Sequence, residues 1–319
     1  MKNVLKEIGI ALILGILLPG LVLDAAVRLS RLKQTQPPET EVSFYTQPAE
    51  TPVSIRVLDR DGDVIMMELE EYITGVVLAE MPASFEPEAL KAQAVVARTY
   101  AMRAEQGKGK HEDAAVCMES SCCQAFRWPE EASDPADAEK VRAAVQDTAS
   151  RVLVYEGELI EATYFSCSGG STEDAVAVWG TEVPYLVSTE SPGEEKAAHF
   201  EDTVLMSCDA FLSALSLEER GETEHWFGEV TYTAGGGVDT MEICGKTFSG
   251  TELRSLLELR STAITMEPEG DSIRISTKGF GHRVGMSQYG ADAMAVGGST
   301  YDEILAHYYR GTKLQKLSH

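Results

Sequence analysis

Pro82 and Pro87 constrain this chain more tightly than any other feature of its sequence. Before them, Glu70 to Ala79 sets Tyr72, Val76 and Ala79 at helical spacing. Proline disfavours the α conformation in the residue before it, so this helix must stop by Met81, leaving Glu80 at or just past its C-terminus. Pro87 suits a first helical turn, with Ser84 upstream as a candidate cap. The run PEALKAQAVVARTYAMRAE then carries a second helix until Gly107 and Gly109 end it. Its small face of Ala89, Ala92, Val96 and Ala97 permits close packing on the first helix. The expected product is a packed helical pair with a carboxylate at the break.

Around this pair the pattern is mixed. Val53 to Leu69 alternates about Asp61-Gly62 and reads as a β-hairpin. Lys108 to Pro135 reads as a loop, Ala136 to Thr148 as a helix, and Arg151 to Phe165 as strands turning at Glu156-Gly157. Glu194 to Arg220 reads as mostly helical. Glu229 to Ile243 and Ala263 to Thr277 read as strands about a short helix, and a last helix lies in TYDEILAHYYR. Strands and helices follow no βαβ rhythm, which predicts an α+β fold in a single domain over 53–319.

Ile8 to Leu23 is unbroken apolar sequence after Lys2 and Lys6. It predicts a short cytoplasmic start (1–7) and a transmembrane signal-anchor helix (8–27) rather than a cleaved signal peptide. Residues 28–52, rich in Pro, Thr, Gln and Glu, predict a flexible linker to an extracytoplasmic domain. The net charge of −24, from 51 acidic and 27 basic residues, makes nucleic acid a poor partner. Binding to an anionic polymer would have to come from a local cleft.

Several groups can carry chemistry. A carboxyl at a helix C-terminus faces the negative end of the dipole, and the apolar neighbours Leu78, Ala79, Met81 and Pro82 desolvate it. Both effects favour a protonated Glu80 that could act as a general acid, although most helix-end carboxylates do no such work. Lys91, Gln93, Arg98 and Tyr100 set polar groups along the second helix, either for substrate or as solvated side chains. The turn Ser166 to Gly170 offers hydroxyls and amides. Gly279 to Gly290 interleaves His282, Arg283, Gln288 and Tyr289 with glycines that let backbone approach a ligand. A Ser287/His282 pair lacks a third member. Cys117, Cys122 and Cys123, with His111 nearby, are open to metal binding, to disulfides or to free thiols.

Five segments together resemble the SpoIID/LytB family, its sporulation branch in particular. They are LEEYITGVVLAEMPASFEPEALKAQAVVARTYA, CCQAF, ATYFSCSGGSTEDAVAVWG, ELRSLLELRST and GFGHRVGMSQYGADAMAVGGSTYDEILAHYYRGT, in the family's order. The resemblance implies a substrate cleft in a catalytic domain, with Glu80 as the acid/base of a lytic transglycosylase. Such an enzyme cleaves the MurNAc–GlcNAc bond of peptidoglycan and leaves 1,6-anhydro-MurNAc ends. It also implies Lys91, Gln93, Arg98, Ser168, Trp179, His282, Gln288 and Tyr289 as cleft residues. No cofactor is implied for the reaction. A structural zinc is carried by clostridial relatives, which makes Cys117 and Cys122 its ligands here, with Cys122 standing where a His is expected. Cys167 and Arg283 depart from the usual serine and glycine. The implied setting is septal wall remodelling during engulfment, on the mother-cell side of the membrane. The implied partners are glycan strands, an amidase of the stage II sporulation protein P type and a multi-spanning membrane organiser. A non-catalytic enhancer of a cell-wall amidase is the alternative.

Overall fold

The structure, a computed structural model, describes residues 52–218 and 221–317. The expected cytoplasmic start, membrane helix and nearly all of the linker lie outside the described residues. Among those residues no helix is long and apolar enough to cross a membrane. Pro52 onward forms one compact unit, and its fold is α+β as expected, with two large hydrophobic cores and a small separate cluster of Val152, Val154 and Leu159.

The first core holds the helical pair. Strands β1 (Ser54–Leu58) and β2 (Val64–Glu68) form the expected antiparallel hairpin, with β3 (Val116–Cys117) parallel to β1 on its other side. Helix α1 (Leu69–Glu80) follows directly, and most of its side chains are buried from Leu69 to Leu78. A helix apolar on nearly every side belongs inside a core, and this one packs on α2 (Pro87–Arg103) and α3 (Pro135–Asp147). Glu80 is the last helical residue, and Met81 is extended (φ −122°, ψ 141°), as Pro82 requires. The break is clasped from outside: Lys140 Nζ donates to the carbonyls of Ala83 (2.8 Å) and Phe85 (2.6 Å), and Glu86 N donates to Asp292 Oδ1 at 2.7 Å.

Strands β4 (Arg151–Tyr155) and β5 (Glu158–Leu159) form a hairpin, and β6 (Tyr164–Phe165) leads into the glycine-rich turn. Helix α4 (Ala175–Trp179) stops at Gly180, whose φ of 71° gives the left-handed end that glycine tolerates.

The second core lies in 201–278. It comprises β7 (Glu201–Ser207), α5 (Cys208–Leu215), β8 (Phe227–Tyr232), β9 (Val238–Ile243), β10 (Lys246–Ser249), α6 (Gly250–Leu256), β11 (Ala263–Glu269) and β12 (Ser272–Lys278). Two antiparallel sheets, ordered β10-β9-β8 and β11-β12-β7, enclose Phe211, Trp226, Phe248 and Ile273. Here the expected long helix over 194–220 is corrected. Its middle is strand β7, in register with β12 from Glu201↔Lys278 to Ser207↔Ser272, and only Cys208–Leu215 is helical. Cross-strand pairing with a segment far along the chain outweighs the local helical pattern.

The chain returns to the first core through β13 (Met286–Ser287), parallel to β6, then α7 (Gln288–Val296), α8 (Tyr301–Tyr308) and β14 (Lys313–Lys316), which pairs with β4. Helix α7 is an element that the sequence reading does not contain, since it places only the last helix in this region. Its signal was Ser287, which caps it by accepting from Gly290 N at 3.1 Å.

Candidate active site

Glu80 stands where two cavities meet. One, about 600 Å³, runs along the break from Leu78 to Phe85 and past Arg127, Asp137 and Tyr289. The other, about 590 Å³, runs past Tyr100, Lys110, Cys122, Tyr164, Trp179 and His282. Glu80, Ser166 and Gln288 line both, so the two are arms of one cleft.

The environment of the Glu80 carboxyl is built by the segment after the cysteine cluster. Gly75 leaves room on α1 for the Phe126 ring, which a Cβ there would meet at 2.2 Å. Phe126 also stacks on Tyr72 (centroids 5.8 Å apart), and Arg127 N donates to the Gly75 carbonyl at 3.0 Å. This seating brings the Ala125 amide to 2.7 Å from Glu80 Oε1. A second donor is the Tyr164 hydroxyl. Its direction is set by Gln124: Tyr72 OH donates to Gln124 Oε1 (3.4 Å), and Gln124 Nε2 donates to Tyr164 OH (3.3 Å). With its lone pair so engaged, Tyr164 has its proton left for Glu80.

These contacts divide the electrostatics. Burial raises the Glu80 pKa, and the Ala125 amide and Tyr164 hydroxyl lower it, without cancelling the rise. Glu80 therefore holds its proton more tightly than an ordinary glutamate, yet has two donors waiting for its ionised form. The other carboxylates lining the cleft are Asp137 and Glu161, the latter held by Arg103 at 3.5 Å.

Of the residues expected in the cleft, four line it. Gln288 is buried at the junction, and its Nε2 has no protein partner. Tyr289 lies in the first arm, its ring edge-on to Phe85 at 5.0 Å. Trp179, 42% exposed, and His282 form an aromatic corner in the second arm, with centroids 5.5 Å apart. Burial and the nearby Arg254 push the His282 pKa down to about 4, so its imidazole is neutral at pH 7. Its Nδ1 accepts from Val284 N at 3.1 Å, which leaves the proton on Nε2.

The remaining four are placed elsewhere. Lys91 pairs with Glu88 (2.9 Å) and Asp147 (3.1 Å). Gln93 is wholly buried. Arg98, also wholly buried, is held by Glu70 at 2.5 Å and donates to the carbonyls of Arg151 and Val145. Ser168 is buried under the turn, donating from N (2.5 Å) and Oγ (2.9 Å) to Glu194. None of the four lines either arm. Arg283 is likewise buried, tying Glu173 (3.0 Å) and the carbonyls of Ser168, Ser171 and Gly235 together across the two cores. Tyr164, Gln124 and Ala125 escaped the sequence reading as parts of the site, although CCQAF was the segment that supplies two of them.

The cysteine cluster forms part of the second arm's wall. One donor atom each from His111, Cys117, Cys122 and Cys123 lies within 4.8 Å of the others. His111 Nε2 is 3.5 Å from both the Cys122 and Cys123 sulfurs, which are 3.9 Å apart. Tetrahedral zinc at its usual bond lengths sets S···S near ~3.8 Å and S···N near ~3.5 Å. The set thus fits zinc in donor type and spacing, with His111 and Cys123 joining the expected Cys117 and Cys122. Burial pushes the Cys123 thiol up to about 12, so a thiolate cluster here calls for a cation. Neither these three cysteines nor Cys167 is in a disulfide.

Residues 60–155 match the family model described as stage II sporulation protein. A Bacillus subtilis (strain 168) protein named stage II sporulation protein D is 38% identical over 276 residues, spanning 83% of this chain and 80% of its own length. Its namesake in Bacillus amyloliquefaciens is 39% identical over 277 residues, spanning 84% and 80%. A Bacillus subtilis (strain 168) protein named amidase enhancer is 30% identical over 295 residues, spanning 76% of this chain and 40% of that protein.

Proposed function

The chain belongs to the stage II sporulation protein D family, and from that premise we propose that it is a lytic transglycosylase of cell-wall glycan. The observation that carries this reading is Glu80: a carboxyl of raised pKa at the junction of a two-armed cleft, with two donors directed at its ionised form. A glycan strand crossing the junction would present a glycosidic oxygen to Glu80, which protonates it as the bond breaks. The carboxylate left behind is held by the Ala125 amide and the Tyr164 hydroxyl. It then takes the proton of the muramoyl C6 hydroxyl as that oxygen closes on C1, giving the 1,6-anhydro end and restoring the acid. One carboxyl serves both steps, whereas hydrolytic glycosidases usually need a pair.

The other cleft residues take binding roles. Trp179 and His282 offer apolar faces to sugar rings, and Gln288 Nε2 offers a donor to a sugar oxygen. His111, Cys117, Cys122 and Cys123 would hold a structural zinc. Held together in that way, these residues would close the loop that runs into Gln124 and Ala125, and so would support the donors to Glu80 from outside the reaction. In this reading Ile8 to Val27 anchors the protein in the membrane of the mother cell during engulfment. A stage II sporulation protein P-type amidase supplies stripped strands, and a multi-spanning protein organises the assembly.

The test is mass spectrometry of the products that the full-length chain and its Glu80→Gln variant make from peptide-free strands. Anhydro ends made by the unsubstituted chain alone are expected. Reducing ends would mean a hydrolytic muramidase. The relative named amidase enhancer supports a second, non-catalytic reading. That reading predicts no cleavage by either chain, and stimulation of an amidase by both.

A further inference from the structure

Beyond His282 the cleft does not end. A smaller cavity of about 390 Å³ shares His282 with the second arm and is walled by Thr251, Arg254 and Ser255 of α6 and by Thr262. Arg254 comes from the ELRS segment, which the reaction leaves without a role. It is half-buried, and no hydrogen bond or ion pair engages its guanidinium among the described residues. Glu258, one turn further on, lines the same cavity without pairing to it. The contrast within this chain is instructive. Arg98 and Arg283, which are fully buried, are matched by Glu70 and Glu173.

We propose that Arg254 and this cavity form a subsite for a carboxylate borne by muramic acid, an inference that rests on the glycan-cleaving reading above. Withdrawing a cation from water is unfavourable unless an anion meets it. Burial alone pulls the Arg254 pKa below its usual range, with no carboxylate raising it again. With 51 acidic residues in the chain, an intramolecular partner would have been easy to provide. A guanidinium fork matches a carboxylate in two parallel hydrogen bonds, and the hydroxyls of Thr251, Ser255 and Thr262 can add further ones. The sugars of the strand are otherwise neutral. Muramic acid brings a carboxylate either as its lactyl group, free once the stem peptide is gone, or as an acid of that peptide. In the first case the ligand is created by hydrolysis of the lactyl amide: water adds, the amide C–N bond breaks, and a carboxylate and an amine separate. Arg254 would then select strands an amidase has already processed.

The experiment is calorimetric binding to the full-length Glu80→Gln chain. Its ligands are peptide-free glycan oligomers, the same oligomers with lactyl groups methyl-esterified, and peptide-bearing oligomers. The free acid is expected to bind about tenfold tighter than the ester, as one good charge-assisted pair allows. Adding Arg254→Gln should erase that preference, while Arg254→Lys keeps part of it. Peptide-bearing oligomers binding tightest, in an Arg254-dependent way, would assign the carboxylate to the stem peptide. Equal affinity for all three ligands, read with no second substitution, overturns the proposal. So do preferences that survive Arg254→Gln in a chain of unchanged melting temperature. Cleavage by the unsubstituted chain reports separately on Glu80: cleavage with equal binding sinks only the subsite, and preference without cleavage sinks only the lytic reading.

Discussion

Replacing Tyr164 by Phe removes a single oxygen, and the structure says which free energies that oxygen carries. Its proton goes to Glu80, and its lone pair takes the Gln124 amide. A hydrogen bond to a charged acceptor contributes about 1.5–3 kcal/mol. Losing it should raise the Glu80 pKa further, because only the ionised form loses a donor. Cleavage requires protonated Glu80 at its first step, so activity falls as pH rises through that pKa. The alkaline limb of kcat/KM against pH, measured on peptide-free strands, should therefore move upward in Tyr164→Phe. The variant should also melt earlier, because Gln124 Nε2 loses its acceptor at a cost of about 1–3 kcal/mol. An alkaline limb that stays in place or moves down, in a protein destabilised as expected, would refute the claim that Tyr164 stabilises ionised Glu80.

Three further substitutions and one treatment test the same geometry. Glu80→Gln should raise the melting temperature at neutral pH. The folded pKa lies above the unfolded value of 4.5, so the ionised group opposes folding above both and the gain should vanish below pH 4.5; a gain that persists in acid would contradict this. Glu70→Ala strands the wholly buried Arg98 and should lower stability in urea by about 3 kcal/mol. Glycan KM should stay unchanged in that variant, and a raised KM with normal stability would return Arg98 to the cleft. Elemental analysis should find about one zinc per chain, and chelation or Cys122→Ser should lower melting temperature and cleavage together. A metal-free chain of full activity would exclude the zinc.

Legibility in the sequence followed the range of the interactions. The helix end at Glu80, the Asp61-Gly62 hairpin and the stop at Gly180 rest on steric rules that act over a few residues, and the first two were read correctly. Helix α7 was readable too, from Ser287 and the run behind it, because a cap and a short helical run are local signals. Strand β7 was not readable, because its partner β12 lies some seventy residues on and pairing depends on both.

For the site the division is sharper. Residue type and neighbours alone mark Glu80 as a carboxyl inclined to hold its proton, since the helix dipole and apolar flanks act locally. What tunes it comes from Ala125, 45 residues away, and from Tyr164, oriented through Gln124. The same holds for the helix after the break. Lys91, Gln93 and Arg98 are polar wherever they point, so composition cannot separate a substrate contact from a buried one. Packing turned Arg98 inward to Glu70 and left Gln288 and Trp179 at the cleft. Backbone sterics and helix dipoles are properties of a short segment and can be read along the chain. Burial and hydrogen-bond partners exist only once distant segments meet, and they decided which polar residues form the site.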